Sequence, residues 1–230
     1  MAQNRPIVFL GPSLPIATAQ KLLDADYRPP AAQGDIFRAC AENPPAIALI
    51  DGVFKDIPTV RHREILWAMS QGIPLYGASS MGALRAAELS AHGMIGVGLI
   101  YRWYRRFDLL PDDAVAVTHA PRELGSRPLS DALVDIRRSI RRAERQGAIS
   151  HAEACDITES LSRKAFAKRY LPEHVKPFRV SQKANDAEKL LRVMVSCAST
   201  GIWPTPKAEA PPIVHAWIDD LTDSGLTPPT

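Results

Sequence analysis

The sequence predicts an α/β protein, with an N-terminal parallel-sheet core, flanking helices and a C-terminal helical lobe. Two observations predict the sheet. Short apolar runs at residues 6–10, 46–50 and 73–76 stop on Gly11, on Asp51-Gly52 and on Gly77, and helical periodicity fills the chain between them. Continuous apolar strands alternating with helices mark a sheet buried on both faces. The third observation is that only helical patterns follow Pro128, so the expected division is an α/β core over residues 1–127 and a helical lobe over 128–230.

In chain order, the first strand, Pro6-Ile7-Val8-Phe9-Leu10, closes on Gly11-Pro12-Ser13, and residues 16–25 continue as a helix. Tyr27-Arg28-Pro29-Pro30 and Gly34-Asp35 read as a stiff loop opening a second helix, with Asp35 as its N-cap. The strand Ala46-Ile47-Ala48-Leu49-Ile50 follows. Residues 60–71 place Ile65, Leu66 and Met69 on one helix face shared by His62, which therefore reads as a core or cleft-wall histidine; Gly72 stops that helix. After the strand at 73–76, the residues from Met81 to Leu89 are helix formers apart from Gly82, and Gly93 ends the run. A fourth strand is expected at Val115-Ala116-Val117-Thr118. In the lobe, helices are expected at 129–146, from the capping box Ser150-His151-Ala152-Glu153, at 186–196 and at 214–221.

With 230 residues at 46% hydrophobic, the chain buries a sizeable core. Its net charge of +3 is small, and the arginine clusters at 102–106 and 137–142 read as solvated or protein-docking faces, so no nucleic acid is expected. Cys40, Cys155 and Cys197 are odd in number and widely spaced, which argues for a reducing compartment and against a zinc site. No metal or nucleotide motif is present, and no cofactor is expected. The start of the chain lacks the apolar region of a signal peptide, and no apolar run reaches membrane-spanning length. A cytoplasmic protein without membrane attachment is expected.

Chemistry is expected at Tyr76-Gly77-Ala78-Ser79-Ser80-Met81-Gly82, where a strand breaks at a glycine and a helix starts on a serine. A hydroxyl at a sharp strand-to-helix turn, beside free N–H groups, is where acyl-transfer enzymes hold a nucleophile and an oxyanion site. The alternative is that Ser79 or Ser80 only caps the helix. In parallel sheets ligands collect at the carboxyl ends of the strands, so the turns after Leu10, Ile50 and Tyr76 are expected to share one rim.

Taken in order, Val8-Phe9-Leu10-Gly11-Pro12-Ser13, Tyr27-Arg28-Pro29-Pro30, Gly34-Asp35, Leu49-Ile50-Asp51-Gly52, His62-Arg63-Glu64-Ile65-Leu66, residues 77–89 and Gly93-Met94-Ile95-Gly96 resemble the TfuA family over residues 6–125. The resemblance implies a partner of a YcaO enzyme, which activates a peptide amide for replacement of its oxygen by sulfur. It implies action on a ThiS-like sulfur carrier ending in a thiocarboxylate, with the precursor peptide engaged indirectly, and a hydrolase-like site with a serine–lysine pair. On this reading Ser80 is the nucleophile, Met81 or Gly82 supplies the oxyanion N–H, and Lys55 is the base. Gly11, Ser13, Asp35, Asp51, Gly52, His62, Arg63, Gly77, Ser79 and Arg85 complete the candidate binding set. Arg63 stands where the family pattern has lysine and cannot serve as a base, because arginine keeps its proton. Arg85 either contacts an anion or pairs with Glu88. A second reading is a non-catalytic protein that binds and activates the YcaO. A third is an unrelated esterase, against which counts the lack of a recognisable Ser…Asp…His order, only His119, His151 and His174 being plausibly placed after a triad acid.

Overall fold

The computed structural model describes residues 5–54, 57–107 and 111–229. Its centre is a five-stranded sheet in the order β2-β1-β3-β4-β5, with every neighbouring pair parallel. The strands are β1 Ile7–Phe9, β2 Asp26–Arg28, β3 Ile47–Leu49, β4 Leu75–Ala78 and β5 Ile95–Val97. Helices α1 Ile16–Gln20, α2 Asp35–Ala41, α3 His62–Ser70 and α4 Met81–Glu88 connect them in turn. The order reverses at β1, so the carboxyl ends of β1 and β3 diverge into a crevice, the place where doubly wound sheets bind ligands.

The alternation of the strands explains why both faces are covered. Ile7, Phe9, Ile47, Leu49 and Leu75 pack toward Ile36, Ile65 and Met69 of α2 and α3 and Leu84 of α4. Val8, Ala48, Ile50 and Tyr76 point the other way, where Ala19 of α1 meets Ala187, Leu190, Leu191 and Met194 of a C-terminal helix. Helix α5 Leu99–Arg106 follows β5, and the lobe comprises α6 Leu133–Arg145, α7 His151–Ser162, α8 Gln182–Thr200 and α9 His215–Asp223. Trp217 of α9 returns to the core, with its ring centroid 5.7 Å from that of Trp67. No described helix is long and apolar enough to cross a membrane.

Three expectations are corrected. The segment 115–118 is no strand: Val115 ends a 3-10 turn, Asp112–Val115, and an extended stretch continues to the isolated bridge His119–Pro128. The sheet gains two edge strands instead, β2 and β5, the first lying in what reads as loop. Asp35 is not a cap, since Gly34 holds the N-cap position of α2 at φ 85°.

Candidate functional site

The sharp turn after β4 is tightly constrained. Ser80 N–H donates to the Ala78 carbonyl at 2.8 Å, closing a three-residue turn with Ser79 at its centre at φ 68°. A positive φ at a non-glycine residue in such a turn costs of order 1–3 kcal/mol and persists only where the surroundings enforce it. The two glycines supply that enforcement. A Cβ on Gly82 would stand 1.7 Å from the Leu49 carbonyl oxygen, and one on Gly77 would stand 2.1 Å from the Gly82 oxygen, so α4 docks backbone to backbone against β3 and β4.

This turn leaves the hydroxyl of Ser80 uncommitted to the helix. Ser80 occupies the N-cap of α4, yet its side chain makes no capping bond. It lines a cavity of about 60 Å³ together with Pro12, Asp51, Gly52, Met81, His119 and Lys183. That volume is of the order of two water molecules at ~30 Å³ each, enough for the few heavy atoms of a carboxyl or thiocarboxyl group. Among the first-turn donors of α4, Gly82 N–H is taken by the Ile50 carbonyl and Ala83 N–H by the Ser80 carbonyl. Met81 N–H has no acceptor among the described residues. It therefore remains as the donor beside the nucleophile position, at the positive end of the helix.

The carboxylate of Asp51, at the carboxyl end of β3, is fixed by the loop after β1. Its Oδ2 accepts from Gly11 N–H at 2.9 Å and Ser13 N–H at 3.0 Å, and its Oδ1 accepts from Ser13 Oγ at 2.6 Å. Gly11, Ser13 and Asp51 thus act as one unit at the crevice where the strand order reverses. Lys183, in the first turn of α8, faces it with Nζ 4.0 Å from Asp51 Oδ1, both side chains being buried. Nζ donates to the Val115 carbonyl at 2.8 Å, which gives the extended segment after that residue a structural purpose. Burial pushes the Lys183 ammonium below the usual lysine range, against the opposing pull of Asp51 and then Asp135. Asp135 also accepts from Lys183 N–H at 3.1 Å, holding the start of α8 in place.

Lys183 is the residue that motif reading misses, because it lies far from the turn in sequence. One signal marks it: Ala187, Leu190, Leu191 and Met194 form a helical stripe, and Lys183 sits on that same stripe one turn earlier. A cation on a buried stripe needs a reason. His119, named from the sequence only for the esterase reading, also lines the cavity, with its Nδ1 2.9 Å from the Ala120 carbonyl.

Several expected residues lie elsewhere. His62 opens α3 at the surface, paired with Glu88 at 2.8 Å, so it is neither core nor cleft wall. Arg85 reaches the Val60 carbonyl at 3.0 Å and Glu88 at 2.7 Å, tying α4 to the start of α3 rather than facing the cavity. Asp35 accepts from Ala32 N–H at 2.8 Å and pairs with Arg38, and Arg63 lies on α3; neither lines the cavity. Ser79 is fully buried and its Oγ has no hydrogen-bond partner. Lys55 lies outside the described residues. No group of three or more metal-ligating side chains occurs among the described residues.

A family model described as TfuA-like protein matches residues 51–170. The match begins on Asp51, contains the whole strand-to-helix turn and His119, and extends into the helical lobe. No curated protein matches the chain.

Proposed function

The chain belongs to the TfuA-like family, and on that premise we propose that it is an accessory hydrolase of YcaO-type peptide thioamidation. Its substrate on this reading is the C-terminal thiocarboxylate of a ThiS-like carrier, and its product is sulfide delivered to the YcaO partner. The observation that supports the chemistry is the pairing, in one small cavity, of a serine hydroxyl free of any capping bond with a buried lysine whose charge is disfavoured.

Neutral Lys183 accepts the Ser80 proton while Oγ forms a bond to the thiocarboxylate carbon. The oxyanion draws on Met81 N–H and the helix terminus. As the tetrahedral centre collapses, the C–S bond breaks and the proton on Nζ passes to sulfur, so hydrosulfide leaves and an ester on Ser80 remains. Water, deprotonated by the same amine, then cleaves the ester to carboxylate and restores the serine. Asp51 keeps the Nζ of Lys183 oriented and balances its charge while it carries the proton.

The test is intact-mass spectrometry of a thiocarboxylated carrier incubated with the protein. Wild type converts thiocarboxylate to carboxylate, and Ser80→Ala does not, although its melting curve is close to wild type because no cap bond is lost. A folded Ser80→Ala protein that converts the carrier at the wild-type rate overturns the hydrolase reading. One that fails to convert the carrier yet supports full thioamide formation with the YcaO makes the protein a binding partner only.

A further inference from the structure

We propose that the groove walled by α5, α6 and α7 binds an acidic segment of a partner polypeptide, gripped by the arginines of α6. The groove encloses about 820 Å³, within the range of ~300–1,000 Å³ typical of ligand pockets. It shares no lining residue with the cavity of Ser80 and Lys183, so the inference stands independently of the hydrolase reading.

Its floor is apolar. Trp103 from α5 and Phe107 just after it sit beside Val134 from α6, and Phe107 stays 53% exposed. Among the described residues its charge is unbalanced. Arg137, Arg138 and Arg141 line it from one side of α6, and none of them forms an ion pair among the described residues. The two acids on the wall have partners, Glu144 in a hydrogen bond with His151 at 2.6 Å and Glu159 in an ion pair with Arg163, and they are fewer than the three arginines. Arg138 Nε is buried with no hydrogen-bond partner. Arg137 is half-buried, and its guanidinium is held below the usual arginine range by that burial and by the nearby charge of Arg169.

A guanidinium withdrawn from water without a counterion carries a desolvation cost that an arriving carboxylate offsets, often through two parallel hydrogen bonds. Aromatic and arginine side chains in one pocket are also what binding hot spots are made of. Nucleic acid fits less well, because the floor is apolar, two glutamates stand on the wall and the net charge is only +3. The occupant inferred is a chain segment that places Asp or Glu beside large apolar side chains.

The test selects short random peptides on the immobilised full-length protein and measures binding of the enriched sequences by fluorescence anisotropy. Carboxylates flanking large apolar residues should be enriched. Arg138→Glu with Arg141→Glu should weaken binding roughly 30-fold or more, and Arg138→Gln with Arg141→Gln should weaken it less. Carrier conversion should stay at the wild-type rate in both variants. Cys155 is exposed on the groove wall, and a bound peptide should slow its alkylation by iodoacetamide. Circular dichroism checks folding, and the glutamine pair carries the comparison if the glutamate pair unfolds. Enrichment without acidic residues, binding unchanged by both variant pairs, or an unchanged Cys155 alkylation rate would each overturn the proposal. So would a random single-stranded RNA that displaces the peptides with equal affinity, since the groove would then be a polyanion site.

Discussion

Burial disfavours the charge of Lys183 against the opposing pull of Asp51 and Asp135, which suits its amine to proton transfer. Because the base must be neutral, carrier conversion should rise with pH through a transition below the ordinary lysine value of about 10.4. Lys183→Met should lower the rate by about 10²-fold or more and remove that transition, and Lys183→Arg should not restore it, because arginine stays protonated. A pH–rate profile of the three proteins reads all of this; a Lys183→Met rate near wild type removes the residue from the chemistry. Ser79 separates strain from catalysis. With φ at 68° and an unpartnered hydroxyl, it is the residue that glycine should replace without loss. Ser79→Gly should leave the melting midpoint unchanged or raised and retain carrier conversion, and a loss of activity in the folded variant would move the nucleophile to Ser79.

Glu64 joins two helices that sequence alone shows as separate. Its Oε1 accepts from Arg61 N–H at 2.7 Å at the start of α3, and its Oε2 accepts from Ile36 N–H at 3.1 Å in the first turn of α2. Burial raises its carboxyl to about 7 despite those bonds. Between the ordinary value of 4.5 and about 7 the native protein therefore holds a proton that the unfolded chain has released, and stability falls as pH rises through that window. The Glu64 contribution is up to ~3 kcal/mol. Denaturant melts of wild type and Glu64→Gln across this range should differ by such a slope; parallel curves would show that Glu64 is ionised throughout. The strands β1, β3 and β4 are legible in the sequence because each is a wholly buried apolar run, and the turn from Gly77 to Gly82 is legible because only glycine fits two backbone contacts there. By contrast, β2 is an edge strand of Asp, Tyr and Arg, all partly exposed, and nothing apolar announces it. Residues 115–118 mislead in the opposite direction. Val115, Ala116 and Val117 are apolar and line the cavity, and Val115 offers its carbonyl to Lys183 instead of a sheet neighbour. Lys183 itself is invisible to local reading, since its role exists only once α8 lies on the sheet.

That packing ties the lobe to the core. Leu190, Leu191 and Met194 are fully buried against the sheet face that carries Val8, Ile50 and Tyr76. At about 1.5–3 kcal/mol each, their contribution is comparable with the 5–15 kcal/mol that holds a typical domain folded. Residues 1–127 expressed alone should therefore aggregate or bind a hydrophobic dye; a cooperative melt and monomeric elution would show that the sheet stands without the lobe. The same contact makes the site a composite, with Ser80 from one end of the chain and Lys183 from the other brought together over the crevice at β1 and β3. On the proposed mechanism, the species that distinguishes this composite site is an acyl-enzyme. Rapid acid quenching of the protein with a thiocarboxylated carrier, followed by proteolysis and mass mapping, should find the carrier's C-terminal acyl group esterified to Ser80, and none in Ser80→Ala. An ester mapped to Ser79 or to a cysteine, or full conversion of the carrier by Ser80→Ala, would contradict the account.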